Sequence, residues 1–316
     1  MAQIILQQIL VMALYMIVGY VLYRTGKITD AGSKTLANML AFAVIPFMLV
    51  NSFLVEFSAE KLANFGLSFL IGTGTVVVSL LISSLIFRRS AIERFAAAFS
   101  NCGFIGIPLI RASIGDEGVF FLVGLLIPFN VIQWVYGAPM LVREAQGGEK
   151  APSRGCADIL KHVIWNPMVI ASCIGVLLFV TGLGTRVPLI LTSCISGVAS
   201  LNSPLAMIVL GVYLAQFDLK ELFLNKRLYL VSAVRLILIP VILMLILAVI
   251  PVDNRIKMTM LIAGAAPVGA NVAVYCQIYG ADYVYACKTV AHSTVLSIVI
   301  MPAVIFLAER LMPVLP

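Results

Sequence analysis

Two stretches of this chain combine asparagine amides with helix-breaking residues at matching places. One carries Asn101, Cys102, Gly103, Gly106 and Pro108; the other carries Gly264, Pro267, Gly269 and Asn271. Each sits in the middle of an apolar run. Proline removes a backbone donor and collides with the preceding turn, while glycine admits conformations closed to other residues. Both runs are therefore expected to unwind at these points. An unwound turn at membrane depth survives only inside protein or against a water-filled cavity. The half-helix that restarts beyond it offers unpaired N–H groups and the positive end of a dipole, which together with an amide side chain suit an anion. This is binding chemistry. The patterns H-E-x-x-H, G-x-S-x-G and the P-loop are absent, and His292 and Ser293 form no dyad because adjacent helical residues point apart. An intramembrane enzyme is accordingly disfavoured.

Other polar residues fall inside apolar runs and are secondary candidates. Asn38 and Asn51, Asn130 and Gln133, Arg235 and His292 all do so. Interhelical hydrogen bonding accounts for a lone amide at least as well as a site does. Arg235 stands between snorkelling to the headgroups and a role near the substrate. His292 could titrate near neutrality or serve as a neutral hydrogen-bonding partner, and His162 reads as interfacial. All fourteen acidic residues lie in or near loops, which leaves no mid-membrane carboxylate to carry a proton or sodium ion and suits a carrier of anions. Cofactor and metal chemistry have no foothold either. The six cysteines include no C-x-x-C pair, and two histidines are too few for a zinc cluster.

The elements that must position these residues follow from composition. Hydrophobic residues make up 62% of the 316 residues and charged residues 11%, against roughly half and a quarter in soluble domains. A surface this apolar needs lipid as solvent. The expectation is an all-α polytopic membrane protein. Ten runs are long enough to span, at about 4–22, 35–55, 64–87, 95–113, 118–142, 159–181, 188–214, 228–250, 256–279 and 284–308. The first is read as a retained helix, since it lacks the basic leader of a signal peptide. The longest polar stretch, 143–158, divides the chain almost in half.

Loops after the odd-numbered runs carry fourteen lysines and arginines, and the opposite side carries six, Lys257 among them. The bias places the central loop in the cytoplasm and both termini outside. The net charge of +7 then reflects topology and anionic lipid; nucleic acid is not needed as a partner.

The halves echo each other. Val18-Gly-Tyr-Val-Leu-Tyr-Arg-Thr-Gly26 resembles Ile174-Gly-Val-Leu-Leu-Phe-Val-Thr-Gly182, and the second and seventh runs each carry a central proline, Pro46 and Pro204. The expected organisation is a first five-helix repeat over 1–142, the loop 143–158 and a second repeat over 159–316. An odd number of spans per repeat inverts the second copy, the architecture of many secondary transporters.

The phrase Asn101-Cys-Gly-Phe-Ile-Gly-Ile-Pro-Leu109 resembles the fourth-helix motif of the auxin efflux carrier family, which includes plant carriers and bacterial malate-permease-like proteins. Phe42-Ala-Val-Ile-Pro46, Asn166-Pro167, Arg235-Leu-Ile-Leu-Ile-Pro240, Pro267-x-Gly-x-Asn271 and Ser293-Thr-Val-Leu-Ser297 fit in order. The resemblance implies ten helices in a 5+5 inverted repeat related to bile acid:sodium symporters, with the fourth and ninth crossing at their breaks. Helices 1, 2, 6 and 7 would form a scaffold, and 3–5 with 8–10 a transport domain that shifts like an elevator. The implied substrate is a small organic anion, a mono- or dicarboxylate such as malate or an auxin-like acid, held by Asn101, Cys102, Gly103, Gly106, Pro108, Pro267, Gly269 and Asn271. Asn38, Pro46, Asn130, Pro204, Arg235 and His292 would be accessory. The driving force stays open between a proton or sodium ion gradient, the membrane potential and exchange; a homodimer is compatible with the family, and the cell membrane is the expected location. One departure is Val272, which stands near the place of a second family proline. An anion channel or a membrane-embedded sensor could use the same crossed helices.

Overall fold

Apolar runs of the observed lengths have one low-energy solution in lipid, the helix that satisfies its own backbone. The computed structural model describes residues 2–146, 165–216 and 219–311. Among them every regular element is helical. The helices are α1 (Ala2–Arg24), α2 (Asp30–Ser52), α3 (Ala59–Ile86), α4 (Ala91–Ala98), α5 (Cys102–Ser113), α6 (Asp116–Ala145) and α7 (Pro167–Val180), followed by α8 (Leu189–Ala215), α9 (Leu219–Leu224), α10 (Lys226–Val249), α11 (Asn254–Ala265), α12 (Asn271–Tyr279) and α13 (Tyr283–Leu311). Seven of these are long and apolar enough to cross a membrane: α1, α2, α3, α6, α8, α10 and α13. The protein is a multi-pass membrane protein. Most of the central loop, with His162 and the start of the sixth run, lies outside the described residues.

The expected starts of the second, third and fourth runs move outward by four or five residues because polar N-caps begin the helices earlier. Thr29, Ser58 and Ser90 each accept a backbone N–H as N-cap of α2, α3 and α4. The fourth and ninth runs resolve into two pieces each, α4 with α5 and α11 with α12.

Proline shapes four helices in one way. A single π-turn precedes Pro46, Pro108, Pro139 and Pro240, at Leu40–Val44, Cys102–Gly106, Gln133–Gly137 and Val234–Leu238. The carbonyl that the ring would strike lies four residues back, inside the π-turn each time, and the wider turn moves it aside. Three of these turns carry candidate residues: Cys102, Gly103 and Gly106 in one, Gln133 in another, and Arg235 in the third.

Small residues set the helix contacts. A Cβ at Gly19 of α1 would run into the carbonyl of Ile208, and one at Gly211 of α8 into that of Met16. Gly72 of α3 and Gly124 of α6 abut each other's helices in the same reciprocal manner. Such close approach is how helices gain packing in lipid, where burial itself drives little. Large apolar side chains such as Leu14, Leu70, Leu85 and Val299 instead point outward, as a lipid-facing surface requires.

Candidate functional site

The two interruptions meet. After α4 the chain becomes extended at Phe99, and after α11 it becomes extended at Ala266. The segments pair as a short antiparallel bridge: Asn101 N–H donates to Pro267 O at 2.7 Å, and Gly269 N–H donates to Phe99 O at 2.9 Å. Val268 N–H donates to Ser293 Oγ at 3.1 Å. The unwound backbone thus satisfies itself inside protein. Glycine is required at 269, because a Cβ there would sit 3.0 Å from Ser100 O and 3.1 Å from Phe99 O. Pro267 contributes the carbonyl and has no N–H to satisfy.

Beyond the bridge the chain restarts as α5 and α12, and the first N–H groups of a helix have no partner within it. A cavity of about 40 Å³ opens there, lined by Asn101, Cys102, Gly103, Asn130, Gly269 and Asn271, with apolar walls that include Ile45 and Met168. Its lining is mostly apolar, but three asparagine amides border it, and it is large enough for water. Asn101 is 5% exposed, and its Nδ2 is buried without a partner. Asn271 Nδ2 donates to Gln133 Oε1 at 3.0 Å, which leaves Gln133 Nε2 buried and unpaired. Asn130 turns its amide onto Leu126 O at 2.8 Å. Two unpaired amide donors therefore stand at or beside the pocket, and buried donors of this kind call for an acceptor.

The remaining sequence candidates fall elsewhere. Gly106 and Pro108 shape the first turns of α5, with Gly106 close to Cys102 and Ala263. Pro46 follows the cavity wall residue Ile45, and Pro204 lies in α8 two residues after Asn202. Asn38 is exposed on α2, away from the pocket. His292 is fully buried; its Nδ1 lies 2.8 Å from Ser232 Oγ, and its ring packs edge-on to Tyr229.

Arg235 neither snorkels nor lines the pocket. It is 1% exposed, and its guanidinium donates to Ala97 O at 3.0 Å, Ala98 O at 3.1 Å, Ala266 O at 3.1 Å and also to Gly264 O. These are the terminal carbonyls of α4 and α11, so one cation caps the negative ends of both half-helices. Hydropathy placed Arg235 correctly in a span but carried no sign of its partners.

Three further residues escaped the sequence reading. Asn202 of α8 is 2% exposed, points its Nδ2 toward Gly103 O at 3.5 Å and has an unpaired Oδ1; its place two residues before Pro204 was the available signal. Glu93, in the first turn of α4, is 4% exposed and accepts from Tyr285 OH at 2.9 Å, with Arg227 Nε at 3.5 Å. A helix-end acid is thus buried where a loop acid was expected. Lys257, counted with the outer cations, is buried in the first turn of α11.

The pocket thus gathers amide donors, the starts of two half-helices and small residues. The chain is 27% identical over 244 residues to a protein of Rhizobium meliloti named "putative malonate transporter", covering 75% of each. It is 26% identical over 245 residues to an uncharacterized transporter of Methanothermobacter thermautotrophicus, covering 74% of this chain and 75% of that one. A family model described as membrane transport protein matches residues 4–305. With that match running almost end to end, the chain belongs to the membrane transport protein family, the group of auxin-efflux and malonate-like carriers that its Asn101–Leu109 phrase resembles.

Proposed function

We propose that this protein is a secondary transporter of a small organic anion, with a dicarboxylate of malonate or malate size as the best-supported class. The observation that carries the reading is the Asn101 amide, buried and unpaired in a pocket where two half-helix N-termini converge. The size of the cavity favours a short acid over an indole-bearing one, and the relative's name points the same way.

The proposed organisation is a 5+5 inverted repeat in the cell membrane, with the central loop cytoplasmic and both termini outside. Matching interruptions between α4 and α5 and between α11 and α12 support it. Helices α1, α2, α7 and α8 form the scaffold; α3–α6 and α10–α13 move as one body in an elevator shift. Polar ties within the moving body support this division. Glu93 joins α4 to α10 and α13, Arg255 joins α11 to Glu117 of α6, and Asn271 joins α12 to α6. Where the scaffold meets the moving body, Met12, Met16 and Met207 face Ile105 and Met301 around a small cavity. Methionine is flexible and adapts to changing neighbours, which suits a sliding surface.

The test is uptake of radiolabelled malonate, malate and indole-3-acetate into proteoliposomes by wild type and Asn101→Ala. Saturable uptake with counterflow for a dicarboxylate, reduced at least tenfold in the variant, is expected. Equal uptake by both proteins sinks the site; flux without saturation or counterflow indicates a channel, and binding without flux a sensor.

A further inference from the structure

We propose that Arg235 is the positioning residue that makes the pocket positive: by neutralising the C-terminal ends of α4 and α11 it leaves the N-terminal ends of α5 and α12 unopposed. The inference rests on the anion-pocket reading. A helix broken in two sets the negative end of its first half against the positive end of its second. At the two breaks these fields would cancel where the anion must sit. Each helix end carries roughly half an elementary charge, so two negative ends amount to roughly one unit, and one guanidinium matches them.

The geometry fits this role closely. The guanidinium reaches carbonyls from both half-helices, Ala97 and Ala98 on one side and Gly264 and Ala266 on the other. No carboxylate among the described residues pairs with it. Ser100 is a wall both of the anion pocket and of the small cavity that Arg235 lines, and Cys102 in the pocket lies within Coulombic reach of the charge. With the negative ends of α4 and α11 matched, the positive ends of α5 and α12, roughly one unit together, are left without a counter-charge. That counter-charge is a carboxylate of the bound anion, and the pocket should prefer an anion over a neutral molecule of the same shape.

Cys102 reports the field directly, without knowledge of the substrate. Iodoacetate and iodoacetamide differ in charge and little else; the thiolate displaces iodide from either, so thiol ionisation cancels from the ratio of their rates. That ratio is followed at Cys102 by peptide mass spectrometry in wild type, Arg235→Gln and Arg235→Lys, each checked for monodispersity and melting. The ratio should fall tenfold or more in Arg235→Gln and stay near wild type in Arg235→Lys. An unchanged ratio in Arg235→Gln overturns the proposal, as does a ratio lost in a folded Arg235→Lys. Failure of both variants to fold assigns Arg235 the role of a staple alone and also overturns it, as would a Cys102 inert to both reagents. If Arg235→Gln alone fails to fold, a retained ratio in Arg235→Lys supports it. Failure of the transport reading shows in the Asn101→Ala flux assay, separately from this one.

Discussion

Asn271 and Gln133 meet at 3.0 Å from helices 138 residues apart, and each contributes to the other's orientation. Gln133 holds Asn271 by its oxygen and keeps its Nε2 free. A hydrogen bond to a charged partner contributes about 1.5–3 kcal/mol, and each 1.4 kcal/mol is about tenfold in affinity. Gln133→Leu should therefore raise the KM of the transported anion by roughly ten- to a hundredfold, with the protein still monodisperse. Concentration-dependent uptake checks this; an unchanged KM would remove Gln133 from the site. The amides were visible in the sequence as polar residues in apolar runs. Their pairing was not, because a helix wheel gives direction on one helix and no information about which helix faces it.

Among the elements, the bridge between the two interruptions is the joint on which the pocket depends. Only a residue without a side chain fits at 269, with carbonyl oxygens 3.0 and 3.1 Å from the position of a Cβ. Gly269→Val must part the two bridged segments and separate Asn101 from Asn271. Overpacking of this kind costs about 1–3 kcal/mol, which a membrane protein of this size can absorb. Thermal melting should show a modest loss, while uptake falls to background; retained uptake would mean that the bridge is dispensable. The interruptions were legible from Gly103, Gly106, Pro108, Pro267 and Gly269. Their contact was not, since nothing local requires residue 101 to bond residue 267. The π-turns were also out of reach, because a proline signals strain without stating how the helix relieves it.

For the whole molecule, the proposed motion makes a demand on the surface between scaffold and moving body. Ile105 of α5 and Met207 of α8 both line one cavity of about 10 Å³. In a background that keeps Cys102 as its one native cysteine, Ile105→Cys with Met207→Cys bridged by mercury should stop uptake, and thiol should restore it. Either single cysteine should transport with or without mercury. Full uptake in the bridged protein would refute relative movement of these groups. Within the scaffold, Gly19 and Gly211 make the opposite kind of contact, backbone against side-chain-free backbone. Gly211→Leu should lower stability by about 1–3 kcal/mol, read as an earlier thermal transition, and leave the KM of the folded fraction unchanged.

Lipid-scale properties were set by the chain alone. Long apolar runs dictate helices because each must satisfy its own backbone in hydrocarbon, and glycine with proline at 103–108 and 264–269 dictates where two of them fail. Those constraints are local, and so is their record in the sequence. Tertiary structure decided what fills the openings: Arg235 on carbonyls up to 138 residues away, Asn202 against Gly103 across 99, and Glu93 with Tyr285 across 192. A buried charge or amide takes whichever unpaired group lies within about 3 Å, and only the assembled fold determines which group that is.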